Sequence, residues 1–191
     1  MSSPNLSNAV KLNDTDIVKQ AQNGNRQAFS ELVQRHQASV YRSCYRILGH
    51  DEDAKDASQE TFLRAYRKLD TFQGRSTFKT WLLRVAMNVS LNEHTSRSRR
   101  RKASYTNTDL LAQSIPSPEA PEDELIRSEA AVRMHDALEL VRPEQRAAIV
   151  LRDVDGLAYQ EIAKTLEIAE GTAKSWVHRG RKRLKGILIA A

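Results

Sequence analysis

The chain has 191 residues, a formal net charge of +6 and 28% charged residues, which is length for one large or two small domains and a charge that favours a polyanionic partner. A single cysteine, Cys44, excludes an intrachain disulfide and a cysteine-based zinc site, and His36, His50, His94, His135 and His178 show no paired metal-ligand spacing, so no metal or cofactor is expected. The polar amino terminus and the lack of a run of about 18 apolar residues argue against a signal peptide or stable membrane insertion; the expected setting is cytoplasmic.

Helix punctuation is dense and strand signals are nearly absent. Asn13 and Asp14 are positioned to cap a short helix ending at Asn23-Gly24. Asn25 can cap a long helix from Arg26 to about Leu48, closed by Gly49, with Phe29, Leu32, Val33, His36, Val40, Cys44, Ile47 and Leu48 on one side. Asp51 can cap a third helix that turns Ala54, Ala57, Thr61, Phe62, Ala65, Tyr66 and Leu69 inward. After a loop containing Gly74, Thr77 can start a fourth helix with Phe78, Trp81, Leu82, Val85, Ala86 and Val89 as its apolar side.

From Arg97 the apolar period dissolves into a basic run. Residues 103–121, rich in Ser, Thr, Asn and Pro, read as a flexible linker, because such a composition buries too little surface to offset its ordering entropy. Pro121 suits the first position of a helix running to about Val141, and Pro143 starts another that stops near Asp155-Gly156. The expected architecture is all-α: two small helical domains, 1–102 and 122–191, joined by that linker, the second ending in a helix-turn-helix.

Charge is unevenly distributed. Between Arg64 and Lys102 the only acids are Asp70 and Glu93, and from Gly171 to Ala191 there is none; two separated basic regions suggest two contacts along one nucleic acid. The third helix begins with Asp51, Glu52, Asp53, Asp56, Gln59 and Glu60 and ends with Arg64, Arg67 and Lys68. That order complements the helix dipole, which suffices to explain it without a partner; the functional reading is a protein-docking face.

The segment from Phe72 to Asn92 interleaves aromatic, basic and small polar groups. A base turned out of a duplex needs a stacking surface and hydrogen-bond partners for its edge. Phe72, Ser76, Thr77, Asn88 and Asn92 could supply them, while Phe78 and Trp81 at helical spacing suit a core. In the last helix, Ala173, Val177, Gly180 and Leu184 form a packing stripe, and Lys174, Ser175, His178, Arg179, Lys182 and Lys185 occupy the other faces. That shape and charge suit a DNA major groove, or a solvated surface helix.

Several blocks, in order, resemble the extracytoplasmic-function sigma factors of the sigma-70 family. They are Asp53-Ala54-Lys55-Asp56-Ala57-Ser58-Gln59-Glu60-Thr61-Phe62, then Phe72-Gln73-Gly74 through Thr80-Trp81-Leu82, then Val85-Ala86-Met87-Asn88. Asp155-Gly156-Leu157-Ala158-Tyr159-Gln160-Glu161-Ile162-Ala163 and Glu170-Gly171-Thr172-Ala173-Lys174-Ser175 complete the set.

The resemblance implies a non-enzymatic sigma subunit that binds core RNA polymerase and promoter DNA and is held by an anti-sigma factor. Asp53, Asp56, Gln59 and Glu60 are then expected to dock on polymerase. Phe72, Gln73, Gly74, Arg75, Ser76, Thr77, Arg84, Asn88 and Asn92 would read and help melt the minus-ten element. Thr172, Lys174, Ser175, His178, Arg179 and Lys182 would read the minus-thirty-five element, while the linker threads through polymerase channels.

Three positions depart from the family pattern. Glu167 stands where glycine is common at the helix-turn-helix turn, Ala173 replaces a branched aliphatic, and Trp176 stands where arginine is frequent, either stacking on backbone sugars or packing on the preceding helix. The competing reading is a repressor or activator that binds duplex DNA without polymerase. A metal-free hydrolase is disfavoured, since neither Asp153 with Asp155 nor Glu122 with Asp123 accompanies a nucleophile or a phosphate-cradling glycine loop.

Overall fold

Asparagine side chains start the first two helices. Asn13 accepts from the Asp16 N–H at 2.9 Å and opens α1 (Asp14–Gln22); Asn25 accepts from Gln27 and Ala28 N–H and opens α2 (Arg26–Leu48), satisfying amides that a helix start leaves unpaired. Gly49 closes α2 at φ +79°, and a Cβ there would collide with the Glu139 carboxyl. The left-handed backbone conformation favours glycine at this position, whereas the Glu139 carboxyl is the end of an exposed side chain that can turn aside.

The computed structural model describes residues 13–103 and 132–190, and no strand occurs among them. After α2 come α3 (Asp51–Arg67), a 3-10 turn (Leu69–Thr71) and α4 (Phe78–Ala103). A helical segment at 132–139, here α5, precedes α6 (Pro143–Ile149), which passes into a π turn (Val150–Val154). The chain then forms α7 (Tyr159–Leu166) and α8 (Glu170–Ala190). The expected linker, all but Ala103 of 103–121, and the expected helix start at Pro121 lie outside the described residues.

Helices α1 to α4 enclose one core containing Ile17, Leu32, Val40, Cys44, Ala54, Phe78, Leu82 and Ala86. Burial pushes the Cys44 thiol pKa up, which fits an inert packing role. A second core joins Ala147, Val150, Leu151, Leu157, Ile162, Ala173 and Val177 with Ile47 of α2 and Leu83 and Met87 of α4. Thus α4 is apolar on two sides: Phe78, Leu82, Ala86 and Val89 face the first core, and Leu83 and Met87, with half-buried Leu91, face the second. The two helical units therefore share a packed interface.

Several expectations need correction. Asp51 is the first residue of α3 rather than its cap, and His50 at the cap position makes no capping hydrogen bond; the Asp51 carboxylate instead holds Tyr41 Oη at 2.5 Å and Lys55 Nζ at 2.6 Å. Tyr66 remains 47% exposed, resting edge-on against the Phe29 ring at 4.9 Å. The basic run, where the apolar period is lost, nevertheless continues α4: it lacks Gly and Pro, Arg97 pairs with Asp53, and Arg100 meets Glu93 at 2.5 Å. The helix expected to reach Val141 ends at 139, ahead of a turn whose carbonyls face the Arg146 guanidinium.

Candidate nucleic-acid and polymerase interface

Helix α3 presents the acidic set. Asp56 and Gln59 are exposed, while Asp53 and Glu60 are half-buried and ion-paired, Asp53 with Arg97 and Glu60 with Arg64 at 2.6 Å. Asp53, Asp56, Glu60 and Arg64 line a groove of about 390 Å³ against Val89, Asn92 and Glu93 of α4. The structure thus brings three of the four expected docking residues together, but places Asn92 among them and away from the loop with which it was grouped.

The loop between the 3-10 turn and α4 is anchored at its start. Gln22 Nε2 donates to Leu69 O at 2.9 Å and to Phe72 O at 3.0 Å. Phe72 lies half-buried against Phe78, ring centroids 5.9 Å apart, and Trp81, at 5.4 Å. Beyond it Gln73, Gly74, Arg75 and Thr77 are exposed, Ser76 is half-buried, and Gly74 adopts φ +70°. The Thr77 oxygen accepts from Thr80 N–H at 3.1 Å and its hydroxyl donates to Thr80 Oγ1, so this residue caps α4.

Arg84, Asn88 and Asn92 follow at i, i+4 and i+8 along one side of α4. Asn88 and Asn92 are exposed. Arg84 is half-buried, its Nη2 4.0 Å from Glu161 of α7 and its Nε buried without a hydrogen-bond partner among the described residues. Phe78 is core and Trp81 packs partly against it.

In the carboxyl-terminal unit, Glu161 closes the start of α7 by accepting from Ala158 N–H at 3.0 Å. The turn after α7 holds Glu167 at φ 55°, ψ 45°, the left-handed conformation that glycine adopts without penalty. In α8, Ala173, Val177 and Gly180 are buried and Leu184 is half-buried, as the stripe requires. At Gly180 a Cβ would lie 2.6 Å from Ile149 Cδ1, so the close packing of α8 on α6 needs the missing side chain.

The outward side of α8 carries exposed Lys174, His178, Arg179 and Lys182, with Thr172 and Ser175 half-buried. Lys174 pairs with Glu170 at 2.7 Å. Trp176 is half-buried on the second core, which favours packing over sugar stacking. Arg181 is held by Asp153, so that carboxylate braces the helix-turn-helix.

Sequence reasoning missed the contacts between the units. Ser43 Oγ donates to both oxygens of Asp155, at 3.0 and 3.2 Å. Arg146, 4% exposed, donates to Ile47 O and Glu139 O, each at 2.8 Å. The Tyr45 and His135 rings stack with centroids 4.7 Å apart. The one available signal was the Leu83, Met87 and Leu91 spacing, a second apolar stripe on α4. No group of three or more metal-ligating side chains occurs among the described residues, and no described helix is long and apolar enough to cross a membrane.

Two family models match the chain: Sigma-70 region 2 over residues 32–100 and Sigma-70, region 4 over 131–184. The ECF RNA polymerase sigma-E factor of Haemophilus influenzae is 32% identical over 186 residues, covering 93% of this chain and 96% of the relative. The ECF RNA polymerase sigma factor SigW of Bacillus subtilis is 32% identical over 177 residues, covering 88% and 92%. SigE of Mycolicibacterium smegmatis is 38% identical over 162 residues, covering 84% of this chain and 62% of that longer relative.

Two solved structures share the fold. CnrH, in complex with the cytosolic domain of CnrY, matches with a TM-score of 0.67 at 24% identity, covering 93% of this chain and 97% of that one. The sigma factor RpoE of Bartonella quintana, in complex with the anti-sigma factor NepR, matches with a TM-score of 0.66 at 24% identity, covering 84% and 96%.

Proposed function

Because the chain belongs to the extracytoplasmic-function branch of the sigma-70 family, we propose that it is a cytoplasmic, non-catalytic specificity subunit of RNA polymerase. Residues 1–102 dock on core polymerase and engage the minus-ten element; 103–121 link them to 122–191, which engages the minus-thirty-five element. Binding free energy performs the opening, since unpaired bases are held only in the melted state and the equilibrium shifts toward it.

The observation that carries this reading is the separation of three chemically distinct surfaces: acids on α3, a loop with exposed amide and cationic side chains leading into α4, and a side of α8 that is cationic beyond its first residue, Glu170. In this reading Asp53, Asp56, Gln59 and Glu60 meet polymerase. Gln73, Gly74, Arg75 and Ser76, with Asn88, surround an extruded base; Phe72 and Thr77 hold the loop, Arg84 meets phosphate and Asn92 borders the docking groove. Thr172, Lys174, Ser175, His178, Arg179 and Lys182 meet the upstream duplex. An anti-sigma partner is proposed from the family resemblance.

The test is reconstitution of the chain with core polymerase on a library of promoter fragments. Transcripts from discrete new start sites support the reading. Tight duplex binding by the chain alone, with no redirected transcription, would favour a polymerase-independent regulator.

A further inference from the structure

A side chain of the first helix reaches the stem of the loop assigned above to an extruded base. Gln22, the last residue of α1, is half-buried, and its amide nitrogen donates to Leu69 O at 2.9 Å and to Phe72 O at 3.0 Å, 47 and 50 positions further along the chain. The same two residues close the 3-10 turn, where Phe72 N–H donates to Leu69 O at 3.0 Å. Gln22 therefore holds both ends of the turn from which residues 73–76 depart.

Helix α1 is a fixed base for this hold. Ile17 and Val18 are 1% and 2% exposed in the first core, and Asp14 meets Arg35 Nη1 at 3.1 Å and His36 Nε2 at 2.7 Å on α2. At the far end of the loop Thr77 caps α4. Residues 73–76 thus span two fixed points. Phe72, at the first of them, is held through its carbonyl by Gln22 and through its ring by Phe78 and Trp81. An apolar side chain of similar length would pack on the end of α1 as well as glutamine does; only the two carbonyls require an amide.

We propose that Gln22 is a positioning residue for base capture: its amide keeps residues 73–76 in the conformation that receives an extruded base, acting through the loop backbone rather than on the base. The inference rests on the assignment of that loop to the minus-ten element. A loop already in its receiving conformation loses no binding free energy to ordering. Without the amide that conformer is one of several, and apparent affinity falls by the fraction of chains that hold it. The loss is confined to templates that place a base in the loop, because other contacts do not depend on that conformer.

The test uses the full chain and two variants. Gln22→Met removes both donors at similar length, and Gln22→Glu keeps the shape but turns an oxygen toward the two carbonyls. A nitroxide on Arg75→Cys, in a Cys44→Ala background, reads the loop without DNA. Its spectrum should narrow in both variants as the loop gains freedom, and an unchanged line shape overturns the proposal. Helical content and a cooperative unfolding transition establish that a variant folds, and either folded variant decides the result.

The binding arm uses the unlabelled chain with core polymerase and a fluorescent pre-melted template made from a library fragment that the parent transcribes. Abasic sites placed one at a time through the melted strand locate the position at which the parent loses binding. On the intact template each variant should bind at least about fivefold more weakly than the parent, as expected for two lost hydrogen bonds of modest net strength. On the template abasic at that position the loss should shrink to within about twofold, because the two changes remove the same interaction. Equal losses on both templates would make Gln22 a fold-stabilising residue only and overturn the proposal. If the parent directs no transcripts from any library fragment, the sigma reading fails and base capture with it, while the nitroxide arm separately decides whether Gln22 orders the loop.

Discussion

Ser43 on α2 donates its hydroxyl to both carboxylate oxygens of Asp155, a residue 112 positions later in the chain. Burial raises the Asp155 pKa, outweighing the Ser43 hydrogen bond and the charges of Arg46, Lys79 and Arg42, which favour the ionised form. An acid whose pKa is raised on folding stabilises the native state as pH falls through that pKa, and the gain is lost as pH rises. The stability of the parent relative to Asp155→Asn should therefore increase as pH is lowered from neutrality toward the ordinary carboxylate range. Urea unfolding at several pH values measures this difference; a flat profile would show that the contact does not desolvate Asp155.

Glu167→Gly should stabilise the chain. The residue sits at φ 55°, a conformation costing a residue with a Cβ on the order of 1 kcal/mol, only partly offset by the greater freedom of glycine when unfolded. Thermal unfolding should show a small rise in midpoint, and a fall would mean that the Glu167 side chain contributes more than its backbone costs.

Arg146→Met is expected to destabilise by about 2 to 4 kcal/mol, because it orphans carbonyls of Ile47, Glu139 and Val141 in a closed space. Chemical denaturation tests this. A loss below about 0.5 kcal/mol would mean that water replaces the guanidinium without penalty.

Gly180→Ala forces a methyl group into Ile149 at a cost of about 1 to 3 kcal/mol, offset by about 1 kcal/mol of better helix propensity, so a net loss of up to about 2 kcal/mol is expected. Ile149→Val removes the Cδ1 atom that the new group would strike. The double variant should consequently lose less than the sum of the single losses, and strict additivity would show that α8 shifts away instead.

Two substitutions address the proposed DNA roles. Asn88→Ala should impair transcription from a closed template more than from a pre-melted one, and equal losses would remove Asn88 from the opening step. Arg179→Ala should weaken binding to the upstream duplex and reduce the salt slope by about one if it meets a phosphate. An unchanged slope would take it out of the phosphate contacts.

Local chemistry made much of the fold legible. Asn13, Asn25 and Gly49 mark helix boundaries because their caps involve neighbouring residues, and the α8 stripe follows from one spacing. Asp51 was misread because the tertiary partner Tyr41 and the in-helix partner Lys55 compete for a carboxylate that composition alone assigns to a cap. The persistence of α4 past Arg97 depends on Asp53 and Glu93, which an apolar-period argument ignores. The candidate site was legible as three residue sets, but the involvement of Arg84 with Glu161 was not: it depends on how two separated segments dock, and the stripe through Leu83 and Met87 has meaning only beside its partner surface.

That second stripe bears on recombination among relatives. A chimera joined inside the 103–121 segment would mate a foreign carboxyl-terminal unit with a bed formed by Ile47, Leu83 and Met87. Compatibility between donor and host is thus encoded partly upstream of the junction, and an incoming tail whose surface does not fit those three residues would lose the packed interface.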